Sequence, residues 1–304
     1  MTACCASLAL AMSDKPAVQA QRCTYHGWTN SLRLSNRSAE IVIVPRIGRI
    51  MRFAPIGGPN VLWENPQLLG SSLPPASQQT DWLNFGGDKL WPAPQSRWGW
   101  PPDPYLDGSP WSARVRGDDS VEMLSPISPS TKLQFRRRVV LHEHDASVTI
   151  RNELINRGED AVEWSVWEVA QVADPDWADM RVGKPSIFRD GFRIFPDNPA
   201  PADSVVLMGE RVRARRHAGS PYKIGADPLR TELRAQVSGW LFTVTGPNRG
   251  RDQYPDEGCS VEIFSNPDPL PYMELEALSP VVRLSPRGQV ALTTRWTLTR
   301  AQRR

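Results

Sequence analysis

Glu40 to Phe53 reads EIVIVPRIGRIMRF, with β-branched residues before a break at Pro45 and Gly48 and apolar residues again from Ile50 onward. Such short apolar runs separated by turn residues are what half-buried strands require. The same patterning recurs in SLRLSN (31–36), KLQFRRRVVLHE (132–143), SVTIRNELIN (147–156) and AVEWSVWEVAQV (161–172). It continues in GWLFTVTG (239–246), CSVEIFSN (259–266), YMELEAL (272–278) and VALTTRWTLT (290–299). The 29 prolines and 21 glycines fall mostly between these runs, and no amphipathic helix of about ten residues interrupts them. The expected fold class is therefore all-β. Runs of one kind from residue 30 to residue 299 without a linker-like shift favour one large antiparallel sandwich over two domains.

The segment from Trp82 to Trp111 does not fit the strand pattern. It contains NFGGDKLWPAPQ (84–95) and five of the chain's twelve tryptophans: Trp82, Trp91, Trp98, Trp100 and Trp111. Glycine and proline forbid a helix there, and a tail poor in structure would be poor in aromatics. Two readings fit an ordered loop of this kind. The rings plug one end of the core, or they form a platform for a ligand with flat C–H faces and a rim of hydroxyls. For the second reading, Trp91, Trp98 and Trp100 supply the surfaces, and Asn84, Asp88, Lys89, Gln95 and Asp103 supply polar groups.

Charge excludes little else. Lys plus Arg exceed Asp plus Glu by 36 − 33 = 3 in 304 residues, too small an excess to mark a nucleic-acid partner. The basic cluster Arg211, Arg213, Arg215, Arg216 and Lys223 reads as a solvated strand face or as a contact for a phosphate or carboxylate. Cysteines occur at 4, 5, 23 and 259 without metal-ligand spacing, so no metal and no cofactor is expected. Residues 1–20, MTACCASLALAMSDKPAVQA, resemble the apolar and cleavage portions of a secretory signal that lacks a basic start. Removal of that segment implies a periplasmic or secreted domain over 21–304. Cys23 and Cys259 are then either a disulfide or two free thiols. No apolar run approaches the ~20 residues of a membrane span.

HGWTNSLRLSNRSAEIVIVPRIGRIMRFAPIGGPNVLWEN (26–65) resembles the opening of galactose-mutarotase-like proteins. Together with NFGGDKLWPAPQ and with YMELEALSPVVRLSPRGQVALTTRW (272–296), it resembles the DUF4380 branch of that superfamily. The resemblance implies a mutarotase-like β-supersandwich holding a saccharide or sugar acid in a cleft on the concave face of one sheet. It also implies a glutamate on a late strand as the base of ring opening. Glu274 and Glu276, two apart and so on one face, occupy that neighbourhood. Glu276 matches the family position, with Glu274 as the alternative. The histidine that serves as acid in mutarotases is missing: Trp167 or Glu168 stands near its expected place, and Gln171 follows. Lys89 or Glu168 is left as the acid.

The sequence thus predicts a carbohydrate-binding protein whose cleft brings together Lys89, Trp91, Gln171 and Glu276, with Asn84, Asp88, Trp98, Trp100, Glu168 and Glu274 around them. The alternative is a sugar or sugar-acid epimerase, or a lyase-like enzyme, with Glu276 as general base and Lys89 as acid or electrostatic stabiliser.

Overall fold

A computed structural model describes residues 17–72, 82–247 and 253–302. Among them there are two single turns of 3-10 helix, 21 strands and no α-helix. Of the expected signal segment 1–20, residues 1–16 lie outside the described residues; of the rest, Val18 is packed in the core, and Gln19 and Ala20 pair with Ser35 and Leu34.

The strands, numbered in chain order, form two sheets. The first runs in the order β1 (Gln19–Tyr25), β2 (Trp28–Ser35), β3 (Ala39–Val44), β4 (Arg49–Pro55), β5 (Asp88–Ala93), β10 (Val162–Ala173), β19 (Tyr272–Leu278), β18 (Val261–Ser265), β15 (Tyr222–Ala226) and β12 (Phe192–Ile194). The short β20 (Val282–Leu284) pairs with the far end of β10. The second sheet runs β13 (Val205–Met208), β14 (Arg211–Ala214), β11 (Trp177–Arg181), β16 (Arg230–Val237), β17 (Trp240–Pro247), β21 (Gln289–Arg300), β9 (Ser147–Asn156), β8 (Leu133–Leu141), β7 (Ser120–Leu124) and β6 (Ser112–Arg116). Neighbouring strands pair antiparallel throughout. The opening stretch EIVIVPRIGRIMRF becomes β3 and β4, joined by the 3-10 turn Pro45–Ile47.

Alternation sorts the side chains as a sandwich demands. Ile41, Ile43, Ile50, Phe53, Leu90, Val166, Ala170, Met273 and Leu275 of the first sheet meet Phe135, Val139, Ile150, Leu154, Phe242 and Trp296 of the second in one core. Phe53, Phe242 and Trp296 pack edge-on or tilted with centroids 5.3 to 6.0 Å apart.

A polar chain crosses this core. Arg137 of β8 forms a fully buried ion pair with Asp88 of β5, and its Nε donates to Asn152 at 2.7 Å. Asn152 donates to Glu168 of β10, which also accepts from Thr294 at 2.8 Å and from the Trp296 indole at 3.0 Å. Asp88 and Glu168, expected among the saccharide-binding residues, therefore point between the sheets and serve the core. The cause is strand parity: each lies one residue out of phase with the neighbours that face outward.

Cys23 on β1 and Cys259 just before β18 are free thiols near opposite ends of the first sheet's strand order. The disulfide reading is thereby corrected, since a bridge requires Cα atoms within about 7 Å.

Candidate functional site

The face of the first sheet turned away from the second gathers two clusters of buried ionisable side chains. It begins at Gly86 and Gly87, whose φ values of +91° and +72° let the chain turn into β5 against Trp63 and Ile50. A Cβ on Gly86 would sit 2.3 Å from the Trp63 carbonyl oxygen, and one on Gly87 2.3 Å from that of Ile50. The turn sets the phase of β5, so Lys89, Trp91 and Ala93 face outward. Register does the rest. Val169 lies across from Lys89 and from Glu276, and Gln171 lies across from Glu274. Glu276 in turn lies across from Glu262 of β18.

Two ion clusters result. The Lys89 ammonium is 2.5 Å from Glu274 Oε1, which also accepts from Gln171 Nε2 at 2.9 Å. The Lys223 ammonium of β15 lies 2.6 Å from Glu262 Oε2 and 3.0 Å from Glu276 Oε2, and the Trp167 indole donates to that same Glu276 oxygen at 2.7 Å. Each ammonium also sits over indole rings, Lys89 at 4.5 Å from Trp91 and 5.0 Å from Trp82, Lys223 at 4.7 Å from Trp167. Glu276 is 1 % exposed.

Burial governs the titration of these groups. It lowers the pKa of Lys89 despite the opposing pull of Glu274. It raises that of Glu276 against the opposing charge of Lys223, and lifts Glu262 well above the ordinary carboxyl range. Burial also works to lower Lys223, but the Glu262 and Glu276 carboxylates outweigh it and hold its pKa up.

The tryptophan-rich segment closes over this face through one carboxylate. Asp107 Oδ2 accepts from the indoles of Trp82 at 2.8 Å and Trp91 at 2.9 Å, while Oδ1 meets the buried Arg49 guanidinium at 2.6 Å. Trp91 is hemmed edge-on by Trp82, Trp98 and Trp167 at 5.2 to 5.8 Å between ring centroids. Its ring, expected as an open platform, is instead occupied by these neighbours and by Lys89. Trp98 is half-buried and donates to the Pro92 carbonyl at 2.7 Å. Trp100, 60 % exposed, stands outside and touches Trp82 edge-on. Asn84 donates to the Tyr272 hydroxyl at 3.1 Å, and Tyr272 packs on Trp63 at 4.7 Å.

The structure thus places Lys89, Trp91, Gln171, Glu274 and Glu276 on one face, with Asn84 at its margin. It pairs Lys89 with Glu274 rather than with Glu276. Sequence reasoning missed Glu262, the role of Lys223, and Asp107. Glu262 had a signal: in SVEIF it is the lone ionisable residue of an otherwise apolar strand. Lys223 was read as part of the arginine run. Three others of that run have structural partners: Arg211 and Arg213 join Arg234 of β16 on Asp179, and Arg216 bridges Asp174 and Asp268.

All four histidines have their partners elsewhere. His26 lies near Glu64, His142 bonds Thr149, His144 is beside Glu143, and His217 holds the turn at Gly219 and Ser220. Among the described residues no group of three or more His, Cys, Asp or Glu could hold a metal ion. A groove of about 480 Å³ lies on the outer face of the second sheet, lined by Thr149, Arg181, Thr245, Thr293 and Arg295 among others. A second groove of the same volume lies beside Trp98, Pro101 and Tyr105, so size does not choose between them. In the first groove Arg181 and Arg295 are half-exposed and bound to Glu210 and Asp145, whereas the first sheet brings buried lysines, glutamates and indoles together on one face.

Comparison with known proteins agrees with this architecture. The family described as "Domain of unknown function (DUF4380)" matches residues 29–207. No curated protein matches the chain in sequence. A putative aldose 1-epimerase from Klebsiella pneumoniae superposes with a TM-score of 0.63 at 12 % identity, over 93 % of this chain and 83 % of that one. A galactose mutarotase related enzyme from Lactobacillus acidophilus superposes at 0.59 and 10 % identity, over 90 % and 98 % of the two chains. A TPR-domain containing protein from Parabacteroides distasonis gives 0.60 at 15 % identity over 90 % of this chain, which spans about half (48 %) of that protein's length. At these identities the likeness shows the fold, a galactose-mutarotase-like sandwich, and leaves chemistry to be argued from the site.

Proposed function

The chain belongs to the DUF4380 family, and from that premise we propose that it binds carbohydrate in a cleft on the outer face of the first sheet, between the Lys89–Glu274 pair and the Lys223–Glu262–Glu276 cluster. The observation that carries this reading is a set of unused acceptors. Among the described residues, Gln171 Oε1, Glu262 Oε1 and Glu276 Oε1 are buried on that face and accept no hydrogen bond. A buried acceptor without a donor costs about 1 to 3 kcal/mol. Several on one face beside indole rings match a ligand rich in hydroxyl donors and C–H surface, which describes a saccharide. Lys89 and Lys223 would in turn give hydrogen bonds to ring and hydroxyl oxygens.

Turnover is the second reading, favoured by one feature. The pKa of Lys89 is lowered and that of Glu276 raised, which moves an acid and a base toward the range where proton transfer near neutral pH is efficient. On that reading Glu276 takes the proton from a sugar hydroxyl or carbon, and Lys89 acts as acid or stabiliser.

Calorimetric titration with a panel of neutral sugars and uronic acids, run beside polarimetry for anomer exchange, separates the two. Binding without acceleration of exchange supports the first reading. Acceleration that disappears in Glu276→Gln supports the second. Failure of every sugar to bind removes both.

A further inference from the structure

The charges on this face do not balance. Glu262, Glu274 and Glu276 present three carboxyl groups, and among the described residues only Lys89 and Lys223 pair with them. Lys89 is committed to Glu274, so Glu262 and Glu276 are left to share the single ammonium of Lys223. They lie directly across from one another on antiparallel β18 and β19, 0 % and 1 % exposed. Like charges placed so are destabilising unless something else intervenes.

The other described groups around the pair do not supply the missing positive charge. Trp167 gives one neutral hydrogen bond to Glu276 Oε2. Asp256 adds a further negative influence on Glu262. Arg193 is paired with Glu257. Among the described residues neither Glu276 Oε1 nor Glu262 Oε1 accepts a hydrogen bond, while Glu262 Oε2 is the oxygen 2.6 Å from the Lys223 ammonium.

We propose that the Glu262–Glu276 pair receives the ammonium of an amino sugar, which supplies one positive charge and three N–H donors where the face has a surplus carboxylate and unused acceptors. This rests on the saccharide reading above and narrows it to a ligand class. A hydroxyl supplies a donor but no charge, so a neutral sugar binds the pair less well. A uronate brings a further negative charge to a face that shows no unpaired cation among the described residues, and it binds least. In the ligand-free chain a proton takes the place of the ammonium, consistent with the strongly raised pKa of Glu262. Binding the amine returns that proton to solvent.

The test is calorimetric titration of the full chain at one pH with glucosamine and galactosamine, their N-acetyl derivatives, the parent neutral sugars and the matching uronates. The proposal expects at least one amino sugar to bind about tenfold or more tighter than its neutral parent, an increment in keeping with a charge-assisted hydrogen bond. N-acetylation should erase that gain. In Glu262→Gln the ratio of amine to parent affinity should fall toward one. Because the wild-type ratio between amine and N-acetyl derivative stands alone, a variant that fails to fold does not rescue the idea. Equal or tighter binding of the neutral parent, or of the uronate, would overturn the amino-sugar inference while leaving the saccharide reading in place. Absence of binding by every sugar in the panel would overturn both.

Discussion

The Lys89 ammonium lies 2.5 Å from Glu274, while Glu276, two residues further along the same strand, takes Lys223 at 3.0 Å. One strand thus presents two carboxylates to two lysines that arrive from opposite sides in the sheet order, Lys89 from β5 and Lys223 from β15. The arrangement depends on register, because a slip of one residue in β19 would turn both glutamates into the core.

Breaking one pair should show how tightly the face is held. Lys89→Ala leaves Glu274 nearly buried without its cation, a change that costs about 3 to 5 kcal/mol when the abandoned charge is enclosed. Glu274 retains 9 % side-chain exposure, so the lower end of that range is expected. Lys89→Ala combined with Glu274→Ala should lose less than the sum of the single variants. Urea unfolding of the three variants gives the coupling directly, and additive losses would mean the two residues do not act as a pair.

Asp107 is expected to anchor the tryptophan loop. Its carboxylate satisfies two indole N–H groups and the buried Arg49, so Asp107→Ala strands three donors at once. A loss of about 3 kcal/mol or more is expected, with a smaller loss for Asp107→Asn, which keeps one oxygen. Acrylamide quenching of tryptophan emission should increase in both variants as Trp82 and Trp91 lose their anchor. Unchanged quenching in a folded Asp107→Ala chain would show that the loop is held by ring packing alone.

The inter-sheet network makes a prediction about pH. Burial, followed by the nearby Asp88 charge, raises Glu168 to about 7 from an ordinary value of 4.5, against the pull of Arg137 and the hydrogen bonds from Thr294 and Trp296. The folded chain therefore binds a proton there that the unfolded chain releases between those two values. The sign follows: this contribution is fully present below about pH 4.5, is lost as pH rises through about 7, and is level above. Chemical denaturation across pH 5 to 8 measures it. Glu168→Gln should flatten that part of the profile whatever it does to absolute stability, and an unaltered slope would place the titration elsewhere.

The fold was legible because period-two patterning survives without context: EIVIVPRIGRIMRF reads as two strands and a turn, and forms them. Which side chains share the outer face was legible where parity and motif agreed, as for Lys89 after the two glycines and for the paired glutamates of YMELEAL. Parity failed for Asp88 and Glu168. Both are polar residues in strands buried on both faces, where alternation between water and core gives no cue to direction. Glu262 and Lys223 were hidden for a different reason, since nothing in a single sequence announces that β15, β18 and β19 are neighbours. Asp107 was hidden because an aspartate in a loop reads as turn chemistry, and it gathers Trp82, Trp91 and Arg49 only once the chain is folded.

The location of the binding face is tested most directly by comparing two variants in one titration. The sugar that binds the wild-type chain most tightly is titrated against Glu276→Gln on the first sheet and Thr245→Ala in the groove of the second. A ligand seated between the two lysine clusters should lose about tenfold or more in affinity with Glu276→Gln and essentially nothing with Thr245→Ala. Loss of binding in Thr245→Ala, with wild-type affinity kept in a folded Glu276→Gln chain, would contradict the assignment and move the site to the other side of the sandwich.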